Sequence, residues 1–203
     1  MKNMLFIMNP KAGRTTLKNS LVDVLEVFCN NDYAVRTYLT KSADDAERIV
    51  QEEGANYDVI VCAGGDGTLG NTVTGYMKSG IKVPLGYIPC GSTNDFARSM
   101  DIPRETVEAA EMIVKAEPFS IDIGSLNDKN FVYVAAFGMF SDTSYATPQN
   151  MKNIFGHAAY VLQGIKSLAN VPSYKMKVTI DGDEQEGEFI FGMVSNSISV
   201  GGF

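Results

Sequence analysis

The chain has 203 residues, 45% of them apolar and 20% charged, and a formal net charge of −7. That length suits one large domain or one and a half smaller ones, with enough apolar side chains for a packed core. The acidic balance excludes a general nucleic-acid binder, whose affinity is built from Lys and Arg, but leaves room for a nucleotide site with a few local donors. From the N-terminus, MKNMLFIMNP is broken by Asn9-Pro10 too early for a secretory signal, and LFIM (5–8) reads as a first buried strand. Residues 17–28 put Leu17, Leu21, Val24, Leu25 and Phe28 on one helical face. YAVRTYL (33–39) reads as a half-polar strand. Ser42 with Asp45 resembles a capping box for a helix carrying Ala43, Ala46, Ile49 and Val50. DVIVCA (58–63) is a fully buried strand. A helix is expected after the glycines that follow it, then a strand around VPLGYI (83–88). Pro103 opens a further helix with Val107, Ala110, Ile113 and Val114 inward. This alternation predicts a parallel sheet covered on both faces.

Beyond residue ~118 the pattern turns to antiparallel β with one helix. FSIDIGSL (119–126) and NFVYVAAF (130–137) read as strands, and residues 154–169 as a helix packed on the core rather than on a membrane. YKMKVTI (174–180) alternates Lys175, Lys177 and Thr179 against Met176, Val178 and Ile180; Asp181-Gly182 is a turn, and GEFIFGMVS (187–195) returns. The final SVGGF reads as a chain cut off within a β region. No apolar run reaches the ~18 residues of a membrane span. Cys29, Cys62 and Cys90 share no ligand spacing and predict reduced, cytosolic thiols, and His157 has no second histidine to pair with.

Three glycine-bearing segments follow three of the parallel strands: NPKAGR (9–14), AGGDGTLGN (63–71) and PCGSTNDFAR (89–98). In an open α/β sheet, ligands bind outside the carboxyl ends of strands, so these segments predict one shared site. Gly65 to Gly70 formally match the G-x-G-x-x-G dinucleotide fingerprint, but YIPCGS stands where an acidic residue should end the next strand. The P-loop pattern fails as well, because no Lys-Ser or Lys-Thr follows the last glycine. Asp66 decides between readings. Beside a bare phosphate it would repel by roughly 1–4 kcal/mol at ~4 Å. It makes sense if Mg²⁺ lies between them or if it positions a proton acceptor; the structural alternative is that it caps the following helix.

N-P-x-[AS]-G, G-G-D-G-T and P-x-G-[ST]-x-N-D-F-A-R, in this order, resemble the diacylglycerol kinase catalytic family in its bacterial soluble lipid kinase branch. Ile121-Asp122-Ile123-Gly124 resembles a fourth motif, and GSTNDFAR favours the bacterial branch over sphingosine kinases. NAD kinases share GGDGT but lack the other two segments in this form. The resemblance implies a three-layer α/β nucleotide-binding domain like those of phosphofructokinases and NAD kinases over residues 1–125. It implies the first part of a β-sandwich over 126–203, with ATP in the cleft between them.

Carried over by position, Asn9, Pro10 and Gly13 match the first nucleotide loop and Thr40 a threonine near the nucleotide. Gly65, Asp66, Gly67, Thr68, Leu69, Gly70 and Asn71 match the phosphate loop, and Ser92 the hydroxyl of the third loop. Gly64, Gly91, Asn94 and Asp95 would shape the loops, while Asp66 and Asp122 would stand around Mg²⁺ and its waters. Lys11, Arg14 and Arg98 could add positive charge or simply be solvated. The family's proton-accepting glutamate and structural metal loop would fall after Phe203, so Asp66 alone represents the catalytic set here.

The expected function is an ATP- and Mg²⁺-dependent lipid kinase acting on a hydroxyl such as that of diacylglycerol, in phospholipid biosynthesis. Its expected partners are ATP and a lipid at a membrane surface, in the cytoplasm, with peripheral attachment and a homodimer left open. The alternatives are a small-molecule or NAD kinase of the same superfamily and a non-catalytic nucleotide-binding regulator.

Overall fold

Strand β1 (Lys2–Met8) buries every residue from Met4 to Met8, so it must be covered on both faces. It is central, pairing in parallel with β2 (Tyr33–Leu39) on one side and β3 (Val59–Gly64) on the other. β4 (Leu85–Pro89) pairs in parallel with β3, giving the order β2-β1-β3-β4. A computed structural model describes residues 1–12, 16–127, 129–138 and 173–196.

Because successive strand residues point to opposite faces, the apolar runs divide into two cores. Met4, Phe6, Met8, Val61 and Ala63 pack with Val24 and Phe28 of α1 (Thr16–Asn30) and Ala109 and Ala110 of α5 (Thr106–Lys115). Phe6 and Phe28 meet edge to face at 5.6 Å. On the other face, Leu5, Ile7 and Ile60 pack with Ala46, Ile49 and Val50 of α2 (Asp45–Glu53). Beside them Cys62 and Tyr87 meet Leu69 and Val73 of α3 (Asp66–Ser79) and Phe96 of α4 (Asp95–Ser99). This is the expected three-layer α/β arrangement. The three cysteines are free, Cys62 and Cys90 buried and Cys29 exposed.

Several boundaries differ from those the sequence suggests. The helix expected at Pro103 starts at Thr106, whose buried hydroxyl lies 2.6 Å from Ser20 Oγ of α1, so packing on α1 sets its start. Only half of the capping box forms: Asp45 Oδ2 accepts from Ser42 N–H at 3.1 Å and Lys41 N–H at 2.6 Å, but α2 begins at Asp45, leaving Ser42 and Ala43 outside it. Of residues 119–126, only β5 (Gly124–Leu126) pairs, because its partner β6 (Lys129–Phe131) is three residues long. The run 130–137 splits into β6 and β7 (Val134–Gly138), since Asn196 binds the intervening Val132 and Tyr133 carbonyls.

The chain divides into two compact units. One holds residues 1–133 with Asn196; the described part of the other is residues 134–138 and 173–195. In the second, β8 (Tyr174–Ile180) and β9 (Asp183–Phe189) form an antiparallel hairpin around Asp181 and Gly182, both at positive φ. β10 (Phe191–Ser195) pairs antiparallel with β7. The single returning strand read over 187–195 is therefore two, because the chain changes partner at Ile190. These strands are part of a β domain. The helix read over 154–169, His157 and the terminal SVGGF lie outside the described residues.

Candidate active site

Backbone pairing brings the three glycine-bearing segments together. Asn9 N–H, just past β1, donates to Ala63 O of β3 at 2.9 Å, and Cys90 N–H, just past β4, donates to Gly64 O at 2.7 Å. Thr40 N–H donates to Met8 O at 2.9 Å, placing this buried threonine beside the end of β1.

The expected loop after β3 is mostly helix. Gly65 is an extended N-cap, and Asp66, Gly67, Thr68, Leu69, Gly70 and Asn71 occupy the first turns of α3. Thr68 and Leu69 N–H both donate to Gly65 O, at 2.9 and 3.1 Å. Gly64 leaves room for Thr68, since a Cβ built there would stand 2.6 Å from Thr68 Cβ. Thr68 Oγ1 in turn accepts from Asn9 Nδ2 at 2.9 Å, while Asn9 Oδ1 accepts from Lys11 N–H at 2.9 Å and curls the first segment. Pro10 and Lys11 are exposed; Gly13 and Arg14 lie outside the described residues.

The second and third segments touch backbone to backbone. A Cβ on Gly91 would lie 2.6 Å from Gly65 Cα and 2.7 Å from Asn94 Oδ1. Asn94 is left-handed at φ 54°, and its side chain closes its own loop: Oδ1 accepts from Gly91 N–H at 2.7 Å and Nδ2 donates to Gly91 O at 2.9 Å. That leaves α4 without a cap from its own N-cap residue. Asp66 supplies it, with Oδ2 accepting from Asp95 N–H and Oδ1 from Phe96 N–H, each at 3.2 Å. The capping alternative for Asp66 thus holds for a different helix from the one expected. Asp66 opens α3 and caps α4, tying two segments together through a half-buried carboxylate. Burial pushes its carboxyl above the usual 3.8, against the pull of the two α4 N–H groups.

The remaining candidates are looser. Ser92 and Arg98 are exposed, Asp95 is buried, and Asn71 Nδ2 donates to Ala43 O at 2.7 Å, fastening α3 to the segment before α2. Asp122 is exposed, with its peptide oxygen accepting from Asn196 Nδ2 at 2.6 Å. Among the described residues no three His, Cys, Asp or Glu side chains gather into a group able to hold a metal ion. The sequence reading missed α4 and its capping by Asp66. The Asn94-Asp95 pair, residue types typical of helix starts, was the available signal.

The chain is similar to known proteins over its whole length. Residues 3–126 match the family model of the diacylglycerol kinase catalytic domain. The diacylglycerol kinase of Bacillus subtilis (strain 168) is 36% identical over 205 residues, covering 100% of this chain and 68% of that protein. That of Staphylococcus aureus (strain JH9) is 34% identical over 206 residues, covering 100% and 64%. A crystal structure of a diacylglycerol kinase from Bacillus anthracis str. Sterne matches with a TM-score of 0.80 and 29% identity over 99% of this chain and 66% of that one. The chain thus spans about two thirds of the length of these relatives. It belongs to the diacylglycerol kinase catalytic-domain family, a family of lipid kinases.

Proposed function

We propose that the joined ends of β1, β3 and β4 bind the phosphates of ATP, and that the protein transfers the γ-phosphoryl group to a lipid hydroxyl such as that of diacylglycerol. The observation that carries this reading is the start of α3. Gly67 and Gly70 stand on its first turns at ordinary helical φ, and a Cβ on either would meet nothing within 4 Å. Nothing among the described residues calls for glycine there, whereas a ligand approaching the backbone does. At the start of this 14-residue helix the N–H groups ahead of Thr68 precede the first helical acceptor, Gly65 O, and a helix end of this kind suits an anion.

Asp66 fits the same reading. A carboxylate beside phosphate is repulsive unless a cation separates them. Mg²⁺ would be held by Asp66 and phosphate oxygens, with Asp122 reaching it through water, and when bound it neutralises charge developing on the transferred group. The chain's own residues do the positioning. Asn9 and Thr68 lock the first segment onto α3, Asn94 shapes the third, and Asp66 is held by the α4 amides.

Calorimetric titration of ATP with and without Mg²⁺ tests the proposal. Wild type should bind ATP more tightly with Mg²⁺, and Asp66→Asn should lose that gain while retaining metal-free binding. Equal Mg²⁺ dependence in the two proteins would remove the role given to Asp66. Phosphate transfer from labelled ATP to diacylglycerol micelles tests the substrate; transfer only to soluble acceptors would overturn it.

A further inference from the structure

Tyr87, near the end of β4, is 4% exposed, with its ring against Phe96 of α4 at a centroid distance of 6.0 Å. Its hydroxyl donates to Gly64 O at 3.1 Å and lies 3.4 Å from Asn94 Oδ1. Gly64 ends β3 immediately before the N-cap of α3, and Asn94 holds the third segment in shape. One phenol therefore touches both sides of the junction where Gly65 and Gly91 meet.

Both acceptors already have shorter partners. Gly64 O accepts from Cys90 N–H at 2.7 Å, and Asn94 Oδ1 accepts from Gly91 N–H at 2.7 Å. The hydroxyl is thus not required to satisfy a buried oxygen, and a phenylalanine would fill the same space against Phe96. What the hydroxyl adds is a further tie between the two segments, beside the Cys90 N–H to Gly64 O bond. Burial, with the Asp66 charge adding to it, pushes the phenol pKa far up, so the group remains a donor at any working pH.

We infer that Tyr87 is a positioning residue of the nucleotide site: its hydroxyl helps set the spacing of the Gly64–Gly65 and Gly91–Asn94 backbones between which the phosphates are received. This rests on those segments being the ATP site. Tyr87→Phe removes one oxygen and keeps the ring. Tyr76→Phe is the control, since Tyr76 donates a comparable hydrogen bond to Val83 O at 2.9 Å away from the three segments.

The experiment is ATP titration of wild type and both variants, with amide hydrogen exchange of the free proteins and a thermal melt of each. Tyr87→Phe should bind ATP about 3–10-fold more weakly, as expected for losing one hydrogen bond's worth of organisation. Amide exchange at Gly91 and Cys90 should also quicken. Tyr76→Phe should lose similar thermal stability yet bind ATP as wild type does. ATP affinity unchanged in Tyr87→Phe, or reduced equally in both variants, would overturn the positioning role alone. Wild type that fails to bind ATP would sink the nucleotide site itself, and the role of Tyr87 with it.

Discussion

A methyl group added at Gly91 would stand 2.6 Å from Gly65 Cα, whereas one added at Gly67 or Gly70, on the helix that follows Gly65, would meet nothing within 4 Å. The first position is glycine because two strand-end backbones must touch, so the requirement comes from the fold. The second pair is glycine where alanine would fit, on a helix that alanine would favour. A fold-derived need and a ligand-derived need are therefore separable within one short stretch of sequence. They predict opposite consequences for the same Gly→Ala change.

Gly91→Ala should have the largest effect. Its Cβ would press on backbone that cannot rotate aside, so overpacking should cost about 2–3 kcal/mol. A melt should show a fall of roughly 5–10 °C, together with lost ATP binding. An unchanged melting temperature would mean that the Gly65–Gly91 contact is not required. Gly67→Ala breaks the comparison from the other side. Alanine in the first turn of α3 should stabilise the fold by ~0.5–1 kcal/mol in urea unfolding, while ATP binds ~10-fold more weakly. Weaker folding, or unaltered ATP affinity, would remove the ligand-derived explanation.

Asn9→Ala gives an intermediate case, where one side chain serves fold and site together. It removes the bonds to Thr68 Oγ1 and from Lys11 N–H, and should cost about 1 kcal/mol of stability. ATP should also bind less tightly. Loss of stability alone would confine Asn9 to a structural role.

The smallest effect concerns pH. The Asp66 carboxyl titrates above its usual 3.8 in the folded chain, so the folded state holds that proton longer than the unfolded state. Its contribution to stability is therefore full below 3.8, declines as pH rises through the folded-state value, and is constant above it. The stability of wild type relative to Asp66→Asn should fall across that interval. A difference that rises with pH would show that the α4 N–H groups outweigh burial.

The sheet was legible in the sequence because β1 and β3 are buried on both faces and read as uninterrupted apolar runs. β9 was not, because DEQEGEF carries no apolar alternation and is a strand only through its ladder with β8. The glycine-bearing segments could be found as motifs, and their convergence followed from their places at the ends of parallel strands. Other features depend on non-local partners. Asp66 capping α4 is a contact across 29 positions, and Tyr87 between Gly64 and Asn94 appears as an ordinary apolar strand residue until the backbones are in place. The sequence suggested a charge that needed a partner at Asp66; the partners found are the Asp95 and Phe96 amides.

The joined ends of β1, β3 and β4 are proposed to receive ATP phosphates. Amide chemical shifts of the labelled chain, followed through an ATP titration, test it most directly. Saturable shifts are expected, concentrated at Asn9, Gly65 to Thr68, and Gly91 to Ser92. An absence of shifts, or shifts confined to residues away from these strand ends, would contradict it.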